Sequence, residues 1–321
     1  MRKIVKSAAA LALVPVFALF AGCGGGPGAA AQSKTAASVS VASVPTASAP
    51  QKTAGGLAIP AFRESEFHAA AAQGENGVQI DLSCTAEGYV AVSAVSESRL
   101  KFQAALGDTT YTYDLPQDGT PAVFPFNCGD GTYTLRVMQN IGGSQYVALY
   151  ETKAEVALAD AFEPFLRPSQ LVNYGANSAC VAKARQLAEG CATDTEMAAA
   201  VYAYLTENVA YDYEKAKTVE KGYLPDPDET LASGKGICFD YAALAAAMLR
   251  SAGIPTRLIT GYVGDIYHAW NEIYLKEQGW ITVEIAASPG SWQRIDTTFA
   301  ANDVDPSFLT DDTNYVNRYT Y

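Results

Sequence analysis

An α+β fold, with an all-β sandwich-like segment ahead of a helix-then-strand segment, follows from three features of this 321-residue chain. Runs alternating with period two crowd residues 78–157, helical spacing takes over between 178 and 251, and strand-like runs return from 257. Helices followed by strands, rather than alternating with them, argue against a doubly wound sheet. Hydrophobic residues make up 49% of the chain and charged residues 17%, enough apolar material for a packed core, which excludes wholesale disorder.

The chain opens Met-Arg-Lys-Ile-Val-Lys and runs on through an apolar stretch from Ser7 to Phe20. A basic start before a short apolar run reads as a secretory signal, residues 1–22, because the run falls short of the ~20 residues that cross a bilayer. Leu19-Phe20-Ala21-Gly22-Cys23 resembles a bacterial lipobox, with Phe20 where leucine is more usual. That resemblance implies a diacylated Cys23 as the mature N-terminus and a chain anchored to the extracytoplasmic face of the cell membrane. Each buried acyl methylene contributes about 0.8 kcal/mol, so two chains hold. Residues 23–58 follow as a tether. From 24 onward they contain no aromatic residue and no acid, and such a stretch cannot bury enough apolar area to offset its ordering entropy.

Residues 59–165 read as the sandwich-like domain. Val78-Gln79-Ile80-Asp81-Leu82 and Tyr133-Thr134-Leu135-Arg136-Val137 alternate, similar runs lie at 89–94, 99–105, 109–114, 121–126 and 145–157, and glycine breaks separate them. About seven short strands in roughly 100 residues suit two packed sheets. His68 belongs to no motif and reads as a surface or core-edge residue. Cys84 and Cys128 share this domain, and in an exported protein a disulfide between them is expected.

Residues 166–321 form the second domain. Ser178–Glu189 and Thr193–Val209 have helical spacing, and Thr193 with Glu196 makes a capping-box signal. Tyr211–Glu229 reads as a polar connector; its acids Asp226, Asp228 and Glu229 lack the glycine and spacing of a calcium loop. A third helix is expected over Cys238–Ser251, stopped by Gly253 and Pro255. Strands are expected at 257–263, 267–275, 279–285 and 292–297. Cys180 and Cys191 flank the first helix. Eleven helical residues span about 16 Å, too far for the ~5.5 Å of a disulfide.

Three residues carry the chemistry. Cys238 follows Gly234-Lys235-Gly236-Ile237, His268 stands in Tyr-His-Ala-Trp-Asn-Glu, and Asp296 in Trp292-Gln-Arg-Ile-Asp-Thr-Thr-Phe299. A thiol attacks as thiolate, and a free cysteine near 8.5 is only a few per cent ionised at neutral pH. A helix N-terminus and a neighbouring imidazole both favour the anion. Cys238 stands where a helix begins, and His268 is the one imidazole in its domain. Asp296 can accept the other ring N–H and fix the tautomer. Trp270, two residues along the strand from His268, shares its face and is a candidate wall of the active site.

Together, Gly-Ile-Cys-Phe-Asp-Tyr-Ala, Leu249-Arg-Ser-Ala-Gly-Ile-Pro255, His-Ala-Trp-Asn-Glu and Trp-x-x-x-Asp-x-Thr-Phe resemble the transglutaminase-like superfamily of papain-fold cysteine enzymes over about residues 190–312. The resemblance implies Cys238 as nucleophile, His268 as base and later acid, and Asp296 as orienting carboxylate. It also implies a cysteine-bearing helix packed on an antiparallel sheet. Thr297 stands where many members have proline. The amide of Cys238 can serve one side of an oxyanion hole; the second donor is open. A protein or peptide amide is the implied substrate, resolved by water or by an amine, with no cofactor. A binding or assembly protein with a vestigial triad is the alternative. Sortase-like and L,D-transpeptidase-like enzymes place the histidine before the cysteine, the reverse of the order here. Thirty-four acids against 22 bases give a net charge of −12, which opposes binding to a nucleic-acid backbone.

Overall fold

The computed structural model describes residues 56–264, 266–276, 280–281, 285–286, 292–295 and 315–321. The expected signal, Cys23, most of the tether and Asp296 lie outside the described residues.

Seven strands make the first part: β1 Val78–Asp81, β2 Tyr89–Ala94, β3 Leu100–Leu106, β4 Thr109–Leu115, β5 Ala122–Pro125, β6 Gly131–Gly142 and β7 Gln145–Val156. They form two antiparallel sheets, ordered β1-β2-β5 and β4-β3-β6-β7, as the alternation requires. Leu100 and Phe102 on β3, and Leu135 and Val137 on β6, point inward and are fully buried against Ile80, Val90, Val92 and Phe124 of the other sheet. The Phe102 and Phe124 rings stack at 4.5 Å between centroids. β2 is buried on both faces, with Tyr89 and Ala91 packing against Cys84, Phe67 and Val123.

The second part contains α1 Ala179–Ala188, α2 Asp194–Asn208, β8 Ala210–Tyr211, α3 Tyr213–Thr218, α4 Pro227–Ser233, β9 Lys235–Gly236 and α5 Cys238–Ser251. Strands β10 Thr256–Val263, β11 Ile266–Tyr274, β12 Trp280–Ile281, β13 Ile285–Ala286, β14 Trp292–Ile295 and β15 Tyr315–Thr320 follow. The antiparallel sheet is ordered β14-β11-β10-β15. Every residue of α5 from Asp240 to Ser251 is buried. Its run of alanines at 242, 243 and 245–247 lets α1, α2 and α4 close on one side and β10 and β11 on the other. This is a mixed helix-and-sheet architecture, a helix-covered antiparallel sheet following a β-sandwich, as expected. The two parts meet through Tyr319 and Tyr321, whose rings pack edge-on against Tyr111 and Tyr113 of β4.

Several expectations are corrected. The connector 211–229 contains α3 and the start of α4. Asp212 accepts the N–H groups of Glu214 and Lys215 and so starts α3. Asp226 accepts those of Asp228 and Glu229, and Pro227 occupies the first turn of α4. The run 279–285 is two short strands, β12 and β13, in a sheet of their own. β15 was not expected. Cys84 and Cys128 are free thiols rather than a disulfide: Cys84 sits in the small cluster with Tyr89, and Cys128 packs on the main sandwich core. Cys180 and Cys191 stand at either end of an unbroken α1 and are not joined to each other.

Candidate functional site

Cys238 owes its position to the chain on either side. Gly234 ends α4 in the left-handed region at φ +60°, where a side chain would be strained. β9 then pairs in parallel with β8, Tyr211 opposite Gly236, and Asp212 N–H donates to Gly236 O at 2.9 Å. A Cβ on Gly236 would stand 2.6 Å from the Cβ of Asp240, so only glycine lets α5 begin this close. The Ile237 N–H donates to Asp240 Oδ2 at 2.8 Å, and Cys238 becomes the first residue of the helix, half-buried, beside N–H groups that have no partner within the helix.

Asp240 is fully buried one turn into α5. Left alone, its charge would oppose an anion at Cys238. Lys215 from α3 compensates it, with Nζ 2.8 Å from Oδ2, while the Tyr223 hydroxyl donates to Oδ1. Lys215 also donates to the Tyr223 hydroxyl at 2.6 Å. Burial works to lower the Lys215 ammonium, but its hydrogen bonds to Asp240 and Tyr223 outweigh it and hold the group above its usual range. Burial, then the Asp240 hydrogen bond, pushes Tyr223 up to about 12. This node fastens the 213–223 segment to the start of the nucleophile helix.

β11 brings the second expected residue. His268 is 5% exposed and sits opposite Gly261 of β10. Its ring lies near-parallel to that of Trp270, 25° between planes and 6.2 Å between centroids. Three residues on, Asn271 Nδ2 donates to Ala242 O at 3.0 Å and ties β11 to the second turn of α5. Tyr267 and Ala269, on either side of His268, line a cavity of about 500 Å³ that also contains Cys238, Phe239, Tyr211 and Thr260. The His268 side chain is not among that lining. By strand alternation it shares the face of Trp270, whereas Ala269 and Asn271 face α5. Trp270 is therefore not a wall of this cavity: it packs with Ile259 and Val263 on the other face of the sheet, and Tyr267 and Ala269 take the place expected for it. Ile295, the last residue of β14, pairs with Asn271; the next residue, Asp296, lies outside the described residues. The structure thus brings the β11 backbone around His268 to the wall of the Cys238 cavity.

Residues 181–285 match the family model described as the transglutaminase-like superfamily. This segment is a transglutaminase-like domain. It is similar to the uncharacterized protein YebA of Bacillus subtilis, 33% identical over 127 residues, covering 32% of this chain and 17% of that protein. It is also similar to the human kyphoscoliosis peptidase, 26% identical over 125 residues, covering 35% of this chain and 17% of the peptidase. The chain therefore spans about a sixth of the length of these curated relatives. The crystal structure of the periplasmic domain of TgpA from Pseudomonas aeruginosa aligns over 78% of this chain and 79% of its own, at 17% identity and a TM-score of 0.33.

A second Cys–His–Asp grouping lies in the sandwich, where sequence spacing showed nothing. Asp81 accepts the His68 N–H at 2.7 Å, the Ser83 N–H at 2.9 Å and the Ser83 hydroxyl at 2.6 Å, and His68 Nδ1 lies 3.0 Å from Oδ2. Cys84 Sγ lies 3.9 Å from the same Nδ1. One ring nitrogen thus faces both the acid and the thiol, so the ring cannot relay a proton between them as a triad does. The grouping reads as a structural turn anchor. The acids of the 226–229 group also have structural partners: besides the Asp226 cap, Asp228 accepts the N–H groups of Ala179 and Cys180 at 3.0 and 2.9 Å, capping α1. Among the described residues no group of three or more His, Cys, Asp or Glu side chains is arranged to hold a metal ion, and no helix is long and apolar enough to cross a membrane.

Proposed function

We propose that this chain is a lipid-anchored, extracytoplasmic cysteine enzyme acting on amide bonds of proteins or peptides. Cys238 Sγ adds to the amide carbonyl, His268 takes the thiol proton and returns it to the leaving amine, and Asp296 orients the imidazole. The C–N bond breaks as the thioester forms. Water then releases an acid, or a second amine releases a new amide. One observation carries the reading: Cys238 opens α5 at a cavity whose wall is the strand segment bearing His268. The transglutaminase-like domain match, and a peptidase among the similar proteins, support the reaction class. The basic start, apolar run and Gly22-Cys23 support export and acylation.

A second reading, a binding or assembly protein with an idle thiol, is favoured by the packing of the His268 ring on Trp270, away from the cavity lining. Iodoacetamide labelling of Cys238 at pH 6.5, followed by intact mass, separates the two. The enzyme reading expects fast labelling that falls at least about tenfold in His268→Ala and in Asp296→Ala, with equal labelling of all three chains in denaturant. Labelling indifferent to both substitutions overturns it in favour of the binder. Incubation of the active chain with surface proteins and a tagged amine then assigns the outcome, free peptides for hydrolysis and tagged adducts for transfer.

A further inference from the structure

The walls of the Cys238 cavity differ in chemistry. Much of the lining is aromatic and aliphatic, from Tyr211, Phe239, Tyr267, Leu224 and Tyr321. Two acids also belong to it. Asp114 comes from β4 of the sandwich, and Glu220 from the strap after α3. Among the described residues that line it there is no lysine, arginine or histidine. The ammonium bound at the start of α5, Lys215, is taken up by Asp240 and Tyr223. One Asp114 oxygen is held by both Arg99 and Lys101 at 2.8 and 3.1 Å, so that acid is fully compensated. Glu220 is exposed, and its carboxylate has no partner among the described residues.

A cavity of about 500 Å³ is sized for a short stretch of side chains rather than a folded surface. Its aromatic and aliphatic lining rewards a large aromatic or branched aliphatic group. Glu220, the uncompensated charge among its described lining residues, in a chain of net charge −12, disfavours a carboxylate. Resting on the acyl-transfer reading above, we infer that the acyl donor is a peptide with an aromatic or branched aliphatic side chain beside the reacting carbonyl and neutral or basic flanks, and that acidic residues at that place are rejected. The sandwich then has a direct part in the reaction: its β4 edge forms one wall of the donor site.

The test uses the full chain in detergent and four peptidyl acyloxymethyl ketones that differ only in the residue beside the warhead, Phe, Leu, Lys or Glu. Modification of Cys238 is followed by intact mass. The expected order places Phe and Leu at least about tenfold ahead of Glu, with Lys ahead of Glu as well. Glu220→Lys is expected to narrow the Phe-to-Glu ratio severalfold, and Leu224→Ala to slow Phe and Leu relative to Lys. Both residues are exposed, and each readout is a ratio within one variant. Equal rates for Phe and Glu, or a ratio unmoved by Glu220→Lys, overturn the inference and leave the acyl-transfer reading standing. Labelling by iodoacetamide but by none of the four peptides overturns both.

Discussion

Replacing Lys215 with methionine removes the compensating charge of the buried Asp240 while keeping most of the side chain's apolar stem. At the observed 2.8 Å, and an effective dielectric constant of about 20, the gross attraction is about 6 kcal/mol. Desolvation offsets part of that, and removing one partner of a buried pair costs about 3–5 kcal/mol. The Lys215 side chain is 26% exposed, and Asp240 keeps the Ile237 N–H and the Tyr223 hydroxyl, so the expected loss is about 2–3 kcal/mol. For a domain of this size that is a fall in Tm of about 5–10 °C. Urea titration and a thermal scan give the number. Lys217→Met is the control: Lys217 is 68% exposed, its ion pair is with Glu214 at the surface, and it is expected within about 0.5 kcal/mol of the parent. In an Asp240→Asn background Lys215→Met is expected to cost less than about 1 kcal/mol, because the charge it answered has gone. A loss below about 0.5 kcal/mol for the single variant, or the same loss in both backgrounds, refutes the role given to this node.

Asp228→Ala uncaps α1 by freeing the Ala179 and Cys180 N–H groups; a loss of about 1 kcal/mol in urea titration is expected. Arg250 is buried and donates to the carbonyls of Thr256, Arg167 and Tyr321 at 2.9–3.0 Å; burial lowers its pKa to about 10. Arg250→Met strands three acceptors and is expected to cost about 3 kcal/mol or more, read as a lowered urea midpoint. Burial alone would raise the Asp81 carboxyl, but hydrogen bonds from Ser83 and His68 outweigh it and hold the group below its usual 3.8. Its folded value is depressed, so its contribution to stability is full above 3.8 and is lost as pH falls through the lower folded value. Urea midpoints between pH 6 and 2.5 are expected to drop less steeply in Asp81→Asn than in the parent.

The strands of the sandwich and the limits of α5 were legible because they rest on local signals. Inward residues recur at every second position of β3 and β6, and α5 lies between Gly236 and the Gly253-Ile254-Pro255 stop. Thr193 also caps as expected, accepting the Glu196 N–H at 3.1 Å, although the Glu196 side chain turns back to Ala192. α3 was not legible. It has six residues and none buried, too few to be stable alone, and it exists because Lys215 reaches Asp240 twenty-five positions later. β15 likewise takes its form from pairing with β10, more than fifty residues earlier. The Asp226-Pro227 pair did carry a helix-start signal that reading 211–229 as a polar connector overlooked. At the candidate site the cysteine's place was readable from Gly-Lys-Gly and the helix that follows. The wall given to Trp270 was not, because sharing a strand face with His268 does not say which face meets the helix.

α5 is braced at both extremities: the Asp240 node grips its first turn, and Arg250 clasps the last turn to the backbone of Thr256 at the start of β10 and of Tyr321 just after β15. Fourteen residues make a rod about 21 Å long. Its alanine flanks leave no slack in which a shift could be absorbed, so movement at one extremity is delivered to the other.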